Sequence, residues 1–176
     1  MAETSLLETF SAAAVIAGAT TVSCSTAATV ADYIAATVNG EVLLPRSPSL
    51  HRLGLVRHLS ECGVRVVEDV SRDGAATAVA GVTGANFAIA ETGTLVLESS
   101  AEEIRLATTL PEKHFVLLDP AKIVADSLDA VPHLRAFQEG GAPSYLAYIT
   151  GPSRTADIER VLTIGVHGPK ELHILL

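Results

Sequence analysis

The chain has 176 residues, a net charge of −8, 48% hydrophobic and 18% charged residues; that length favours one domain, able to bury about 70% of the surface its unfolded chain exposes. No run of Lys and Arg tracks a phosphate backbone, which argues against nucleic acid and anionic membranes as partners, and the charge mainly favours solubility. Trp is absent and Phe and Tyr are few, so Ala, Val, Ile and Leu must build the core.

The opening "MAETSLLETF" lacks the basic and long apolar regions of a secretory signal. The Ala-rich stretch from Ala12 to Ala19 is too short to span a bilayer. The expected location is the cytoplasm. Cys24 and Cys62 have no C-x-x-C spacing and read as buried thiols of a reducing compartment.

Ser5 with Glu8 forms a capping box and opens a helix over about 5–15, an appendage to the domain. A short strand covers 19–24. Residues 26–38 are helical, with Val30, Tyr33, Ile34, Thr37 and Val38 on one face, and Asn39-Gly40 ends the turn. "EVLLP" is a strand. Ser47 caps and Pro48 starts a helix that runs to Glu61. "VRVVE" is a strand, and Asp69 to Ala80 holds a short helix. The stretch "AIAETGTLVLESS" reads as two strands folded at Thr92-Gly93. Ser100 and Glu103 form a second capping box for a helix at 101–108. "HFVLLD" is a strand. Asp119 caps and Pro120 starts a helix with Ile123, Val124, Leu128 and Val131 on one side. Pro132 interrupts it, and a second piece ends at Gly140-Gly141. "SYLAYIT" is a strand, "SRTADIERVL" a helix, and "ELHILL" a last strand, so no disordered tail is expected to follow.

Strands such as "EVLLP", "HFVLL" and "LHILL" are nearly continuous apolar runs, as when both faces of a sheet are covered. The pattern predicts an α/β fold: three layers, α/β/α, with a mostly parallel sheet and one inserted hairpin, in a single domain over 1–176.

Ligands of open α/β sheets bind outside the C-terminal ends of the strands, and three segments are expected there. The first is Glu91-Thr92-Gly93-Thr94. Alternation places Ala85, Phe87, Ile89 and Glu91 on one face, and desolvation would raise the Glu91 pKa, which suits an acid, base or nucleophile. The alternative is an ion pair or a loop cap. The second is "TGPSRTADIE". Gly151, Ser153, Arg154 and Thr155 at a helix start could hold a phosphate or carboxylate. The alternative is that Ser153 or Thr155 only caps the helix, with Asp157 aiding the dipole. It is not a P-loop. The third is "GVHGP", a tight loop holding His167, which could shuttle a proton or merely organise the turn. His51, His58 and His114 have no ligand spacing, and no metal site is expected.

Together "GVTGANFAIAETGTLVL", "TLPEKH", "ITGPSRTADIE" and "GVHGPKELHILL" resemble the LUD (lactate-utilisation) domain in its LutC/YkgG branch. The resemblance is strong from about Val79 to the C-terminus. It implies the fold of glucosamine-6-phosphate deaminase, ribose-5-phosphate isomerase and CoA transferases. It also implies a part in oxidising L-lactate to pyruvate, as a cluster-free subunit or accessory protein. Iron–sulfur clusters would then belong only to its LutA-like and LutB-like partners, and this chain would bind no cofactor. By the same resemblance Glu91 to Thr94 match an ETGT motif. Gly151 to Thr155 and Asp157 match GPSRTAD, and His167 to Pro169 match HGP. In this picture Glu91 and His167 are the proton-handling residues. Thr92, Gly93, Thr94, Gly151, Ser153, Arg154 and Thr155 surround a small carboxylate or phosphate. Two other readings stay open: a stand-alone CoA-transferase-like or sugar-phosphate enzyme with Glu91 as nucleophile, and a binding scaffold without catalysis.

Overall fold

The computed structural model describes residues 5–139, 144–157 and 161–176. Helix α1 (Leu6–Ile16) leads into β1 (Thr20–Val22), α2 (Ala27–Thr37) and β2 (Glu41–Leu43). Two short helices, α3 (Pro48–Arg52) and α4 (Leu55–Glu61), precede β3 (Arg65–Val67). After α5 (Arg72–Thr77) come β4 (Ala80–Gly84), β5 (Phe87–Ile89) and β6 (Thr94–Glu98). Helix α6 (Glu102–Thr109) precedes β7 (Lys113–Leu117), and a 3-10 turn over Pro120–Lys122 leads to β8 (Ile123–Val124) and α7 (Val131–Gln138). The remaining elements are β9 (Leu146–Ile149), β10 (Arg154–Asp157), β11 (Val161–Ile164) and β12 (Glu171–Leu175).

The central sheet has the order β1-β12-β7-β4-β2-β3, and every pair in it is parallel. Such a sheet needs cover on both faces, and alternation along the strands supplies it. Phe115 and Val82 point to one side, where Val30 and Ile34 of α2 and Leu55 and Leu59 of α4 complete a core. Val116 and Ile174 point to the other, toward Phe10 and Ala14 of α1 and Leu95 of β6. The expected α/β architecture is thus present. The inserted hairpin, however, grows into a second sheet of order β8-β5-β6-β9, which shares the second face with α1, α5 and α6.

Several local expectations are corrected. Strand β4, central in the sheet, hides in a glycine-containing stretch that carries no strand signal. A Cβ at Gly81 would run into the Ala107 carbonyl, so α6 rests directly on that backbone. The helix expected from Ser47 to Glu61 is broken at Leu53-Gly54, and Ser47 makes no cap bond but pairs with the Ser49 hydroxyl at 2.9 Å. Ser100 does not cap α6; its hydroxyl accepts the Tyr145 N–H at 3.1 Å. Asp119 does cap, accepting the Ala121 N–H at 3.0 Å, but only a 3-10 turn follows before Ile123 and Val124 enter β8. Cys62 is exposed and Cys24 half-buried, so neither is a core thiol. The Ser5–Glu8 capping box is present as read, with both bonds formed.

The largest correction lies at 154–164. The expected helix is a hairpin, β10 against β11, with Arg154 opposite Ile164 and Thr155 opposite Thr163. The run Val161-Leu162-Thr163-Ile164 is rich in β-branched residues, and their strand preference outweighs the apparent cap at Ser153. Residues 158–160, which that helix would include, lie outside the described residues, as do Gly140 and Gly141.

Candidate functional site

The loop Gly165–Lys170 runs straight into β12, and Thr108-Thr109 close α6 just before β7. A loop that precedes a parallel strand lies at that strand's N-terminal end. The chain at Gly151–Arg154 joins this group: the Ser153 N–H donates to the Pro169 carbonyl at 2.9 Å, and the Gly165 N–H donates to the Ser153 carbonyl at 2.9 Å. Two of the three motifs are therefore stitched together by backbone bonds. They sit at the N-terminal rim of the parallel sheet, which corrects the expectation of the C-terminal rim.

Two of the three motifs, Glu91–Thr94 and Gly151–Arg154, meet the C-terminal part of α1 and the residue that follows it. Gly93 (φ +64°) and Gly151 (φ +75°) both adopt the left-handed conformation that costs other residues about 1 kcal/mol or more. Each also lies flat against α1: an added Cβ would strike Ala13-Ala14 at Gly93 and the Ala17 carbonyl at Gly151. Arg154 completes the contact. Its guanidinium donates to the Ala17 carbonyl, a cation placed at the negative end of a helix. The glycines and the arginine of the motifs thus hold α1 in place. With no helix following Ser153, the anion-binding helix start expected there does not exist.

A cleft of about 370 Å³ opens at this rim. It is lined by His114, Tyr148, Thr150, Ser153, Arg154 and His167, among others. Among the described residues that line it there is no Asp or Glu. Arg154 and His167 are exposed and Ser153 half-buried. An anion entering the cleft would meet the Arg154 guanidinium, the Thr150 and Ser153 hydroxyls and the His167 imidazole.

Glu91 is not part of this cleft. It is exposed in the turn between β5 and β6, its N–H donating to the Ala125 carbonyl at 3.0 Å, so the apolar surroundings expected of it are missing. The parity argument fails because the turn begins at Ala90 and rotates the next side chain outward. Thr92 and Thr94 reach the cleft only indirectly. Their hydroxyls lie 2.6 Å apart, and that of Thr94 lies 2.8 Å from that of Thr150, so a row of three hydroxyls ends at the cleft wall. Thr155 is half-buried in β10 and does not line the cleft.

His114, set aside in the sequence for want of ligand spacing, also lines the cleft. It is the second residue of β7, fully buried, with Nε2 2.8 Å from the Thr83 hydroxyl. Burial lowers its pKa to about 3, so it is neutral at ordinary pH and the cleft floor carries no charge of its own. A histidine opening an otherwise apolar strand was the available signal. His173 was passed over. It faces the opposite side of the sheet, with Nδ1 2.9 Å from the Tyr33 hydroxyl and Nε2 3.0 Å from Glu171. That contact, with Lys113 on the same carboxylate at 3.2 Å, holds the Glu171 pKa below its usual value.

Among the described residues no three His, Cys, Asp or Glu side chains gather as metal ligands. Among them, too, no helix is long and apolar enough to cross a membrane.

Residues 7–176 match the LUD domain. The chain is 45% identical over 96 residues to an uncharacterised protein of Neisseria meningitidis serogroup B, covering 54% of this chain and 41% of that one. It is 35% identical over 150 residues to the lactate utilization protein C of Bacillus subtilis, covering 78% and 62%. To the lactate utilization protein C of Geobacillus thermodenitrificans it is 32% identical over 161 residues, covering 85% and 67%. The chain thus spans from 41% to 67% of the length of these relatives. A solved DUF162-family protein from Deinococcus radiodurans shares the fold, with a TM-score of 0.71 at 24% identity over 97% of this chain and 94% of that one.

Proposed function

This chain belongs to the LUD-domain family, and on that footing we propose that it serves lactate utilisation by binding a small carboxylate, L-lactate or pyruvate, in the cleft at the N-terminal rim. One observation carries the proposal: Ser153, Arg154 and His167 line a single hollow, with no Asp or Glu among its described lining residues. The guanidinium keeps N–H groups beyond the one given to Ala17, and these suit a carboxylate. Thr150 and Ser153 offer hydroxyls to its second oxygen. His167 would hydrogen-bond the α-hydroxyl of lactate or the keto oxygen of pyruvate and take up the hydroxyl proton on oxidation, while the α-hydrogen and its electron pair pass to the partner.

The reading makes the chain a cluster-free subunit or accessory protein in the cytoplasm. Its partners would be iron–sulfur proteins of the LutA-like and LutB-like kind, and they would take the electrons. The relatives' names support the lactate context. The alternative in which Glu91 is a covalent nucleophile has less support, since that side chain stands in solvent outside the cleft.

Calorimetric titration with L-lactate, pyruvate and propionate tests the proposal. Saturable binding of the first two is expected, weaker for propionate, which lacks the α-oxygen. Ser153→Ala and His167→Gln should each weaken it several-fold without moving the melting temperature. No saturable binding by the wild-type chain, or normal growth of a clean deletion strain on L-lactate as sole carbon source, would contradict it.

A further inference from the structure

The opposite rim of the sheet carries a different chemistry. Most described arginines and lysines are already engaged, by carboxylates or by backbone carbonyls. Those with no ion pair or side-chain hydrogen bond among the described residues are Arg46, Arg52, Lys122 and Arg135. The first three come together. A crevice of about 350 Å³ between Pro45–Leu50 and Val82–Asn86 is lined by all three. A neighbouring hollow of about 510 Å³, over the ends of β1, β7 and β12, shares Arg52 and Lys122 with it. A third, of about 600 Å³, shares Arg46 and Arg52. Arg52 stands where the three meet.

Topology explains why a hollow forms there. Strands β2 and β4 are parallel neighbours. The chain leaving β2 goes to α3 and α4, which pack on the α2 side of the sheet. The chain leaving β4 goes to the second sheet and α6, on the other side. Loops that part in opposite directions from adjacent strands leave a crevice outside their C-terminal ends, where open α/β sheets hold ligands. Acidic residues line the same hollows. Glu98 and Asp119 each accept a backbone N–H, from Ser100 at 2.9 Å and from Ala121 at 3.0 Å. Glu68 lies in the third hollow beside Arg46.

We propose that this crevice is a second binding site, for a nucleoside diphosphate. Its phosphates lie among Arg46, Arg52 and Lys122, and its base lies in the adjoining hollow against Leu50 and Leu53. Leu53 is 49% exposed at that wall, an apolar surface awaiting a flat partner. The joined hollows fall within the size range of small-molecule sites, and a small carboxylate could not bridge them. Exposed cations act through charges that salt screens, so affinity should fall as ionic strength rises.

The test is calorimetric titration of the full chain with ADP, pyrophosphate and adenosine at low salt. The expected result is saturable ADP binding that weakens at 0.5 M NaCl, at least tenfold tighter than adenosine and several-fold tighter than pyrophosphate. Arg52→Ala should weaken it about tenfold, and Arg46→Ala and Lys122→Ala several-fold each. All three side chains are exposed, so these variants should melt like the parent. Arg135→Ala, the other cation without a partner among the described residues, on α7 away from the crevice, should bind as the parent does, and so should His167→Gln. Absence of saturable ADP binding, equal affinity for adenosine or pyrophosphate, or an equal loss in Arg135→Ala would overturn the proposal. The outcome is independent of lactate binding at the other rim.

Discussion

The two rims of the parallel sheet make an instructive contrast. The N-terminal rim holds nearly every motif, yet much of each motif is spent on architecture. Gly93 and Gly151 bring turns against α1, Arg154 holds its last carbonyl, and the backbone of Ser153 ties down the loop of His167. The C-terminal rim has no motif and holds a cluster of cations without partners among the described residues, in the chain from Arg46 through α3 and in the 3-10 turn of Lys122. Recognisable residue patterns can thus mark where a chain must close on itself, while free charge gathers where topology leaves a gap.

Substitutions can break this contrast, starting with the glycines. Gly151→Ala must place a Cβ in the Ala17 carbonyl at φ +75°. A loss of about 2–4 kcal/mol is expected from strain and overlap together, read as a drop in the urea midpoint. A neutral result would mean the α1 contact is not tight. His114 gives the next effect. Its folded pKa, about 3, lies below its ordinary 6.5, so between those values the unfolded chain binds more protons. Stability should rise with pH across that window and fall as the pH drops through it, by up to about 1.4 kcal/mol per pH unit. Urea melts of His114→Leu from pH 4 to 7 should show a shallower slope than the parent; an unchanged slope would place the titration elsewhere.

Arg154→Lys comes third. Lysine keeps the charge at the α1 terminus but loses the planar fork, so a loss of about 1 kcal/mol is expected, with weaker carboxylate binding as well. Loss of binding with unchanged stability would mean the α1 contact contributes little. Glu91→Gln is the smallest. An exposed side chain outside the cleft should change stability by less than about 0.5 kcal/mol and leave lactate binding untouched. A large fall in binding would return Glu91 to the site.

Much of the fold was legible because buried parallel strands advertise themselves. "EVLL", "HFVLL" and "LHILL" have apolar side chains for both faces, and all three are central or next to central. β4 escaped because Ala80, Gly81 and Gly84 supply little side-chain signal, and tertiary packing under α6 decides its conformation. At 153–164 a local cap signal competed with β-branched residues whose partners are across a hairpin, and a cap is visible within one turn of chain while a hairpin needs both strands. The site was half legible. Residue types near Ser153, Arg154 and His167 were readable, and the cleft joins them. Their rim was misplaced although the order of elements held the answer, since "GVHGP" directly precedes "ELHILL". Arg46, Arg52 and Lys122 were not readable, because which cations lack partners is a property of the folded surface.

The central claim is that the N-terminal cleft, and not the turn of Glu91, receives the small carboxylate. Amide shifts recorded by NMR during titration with L-lactate test it most directly. The account predicts saturating shifts at Thr150, Gly151, Ser153, Arg154, His167 and Gly168, with Glu91 and Arg52 unmoved. Shifts confined to Glu91–Gly93 or to the Arg46–Arg52 segment, with the cleft silent, would contradict it.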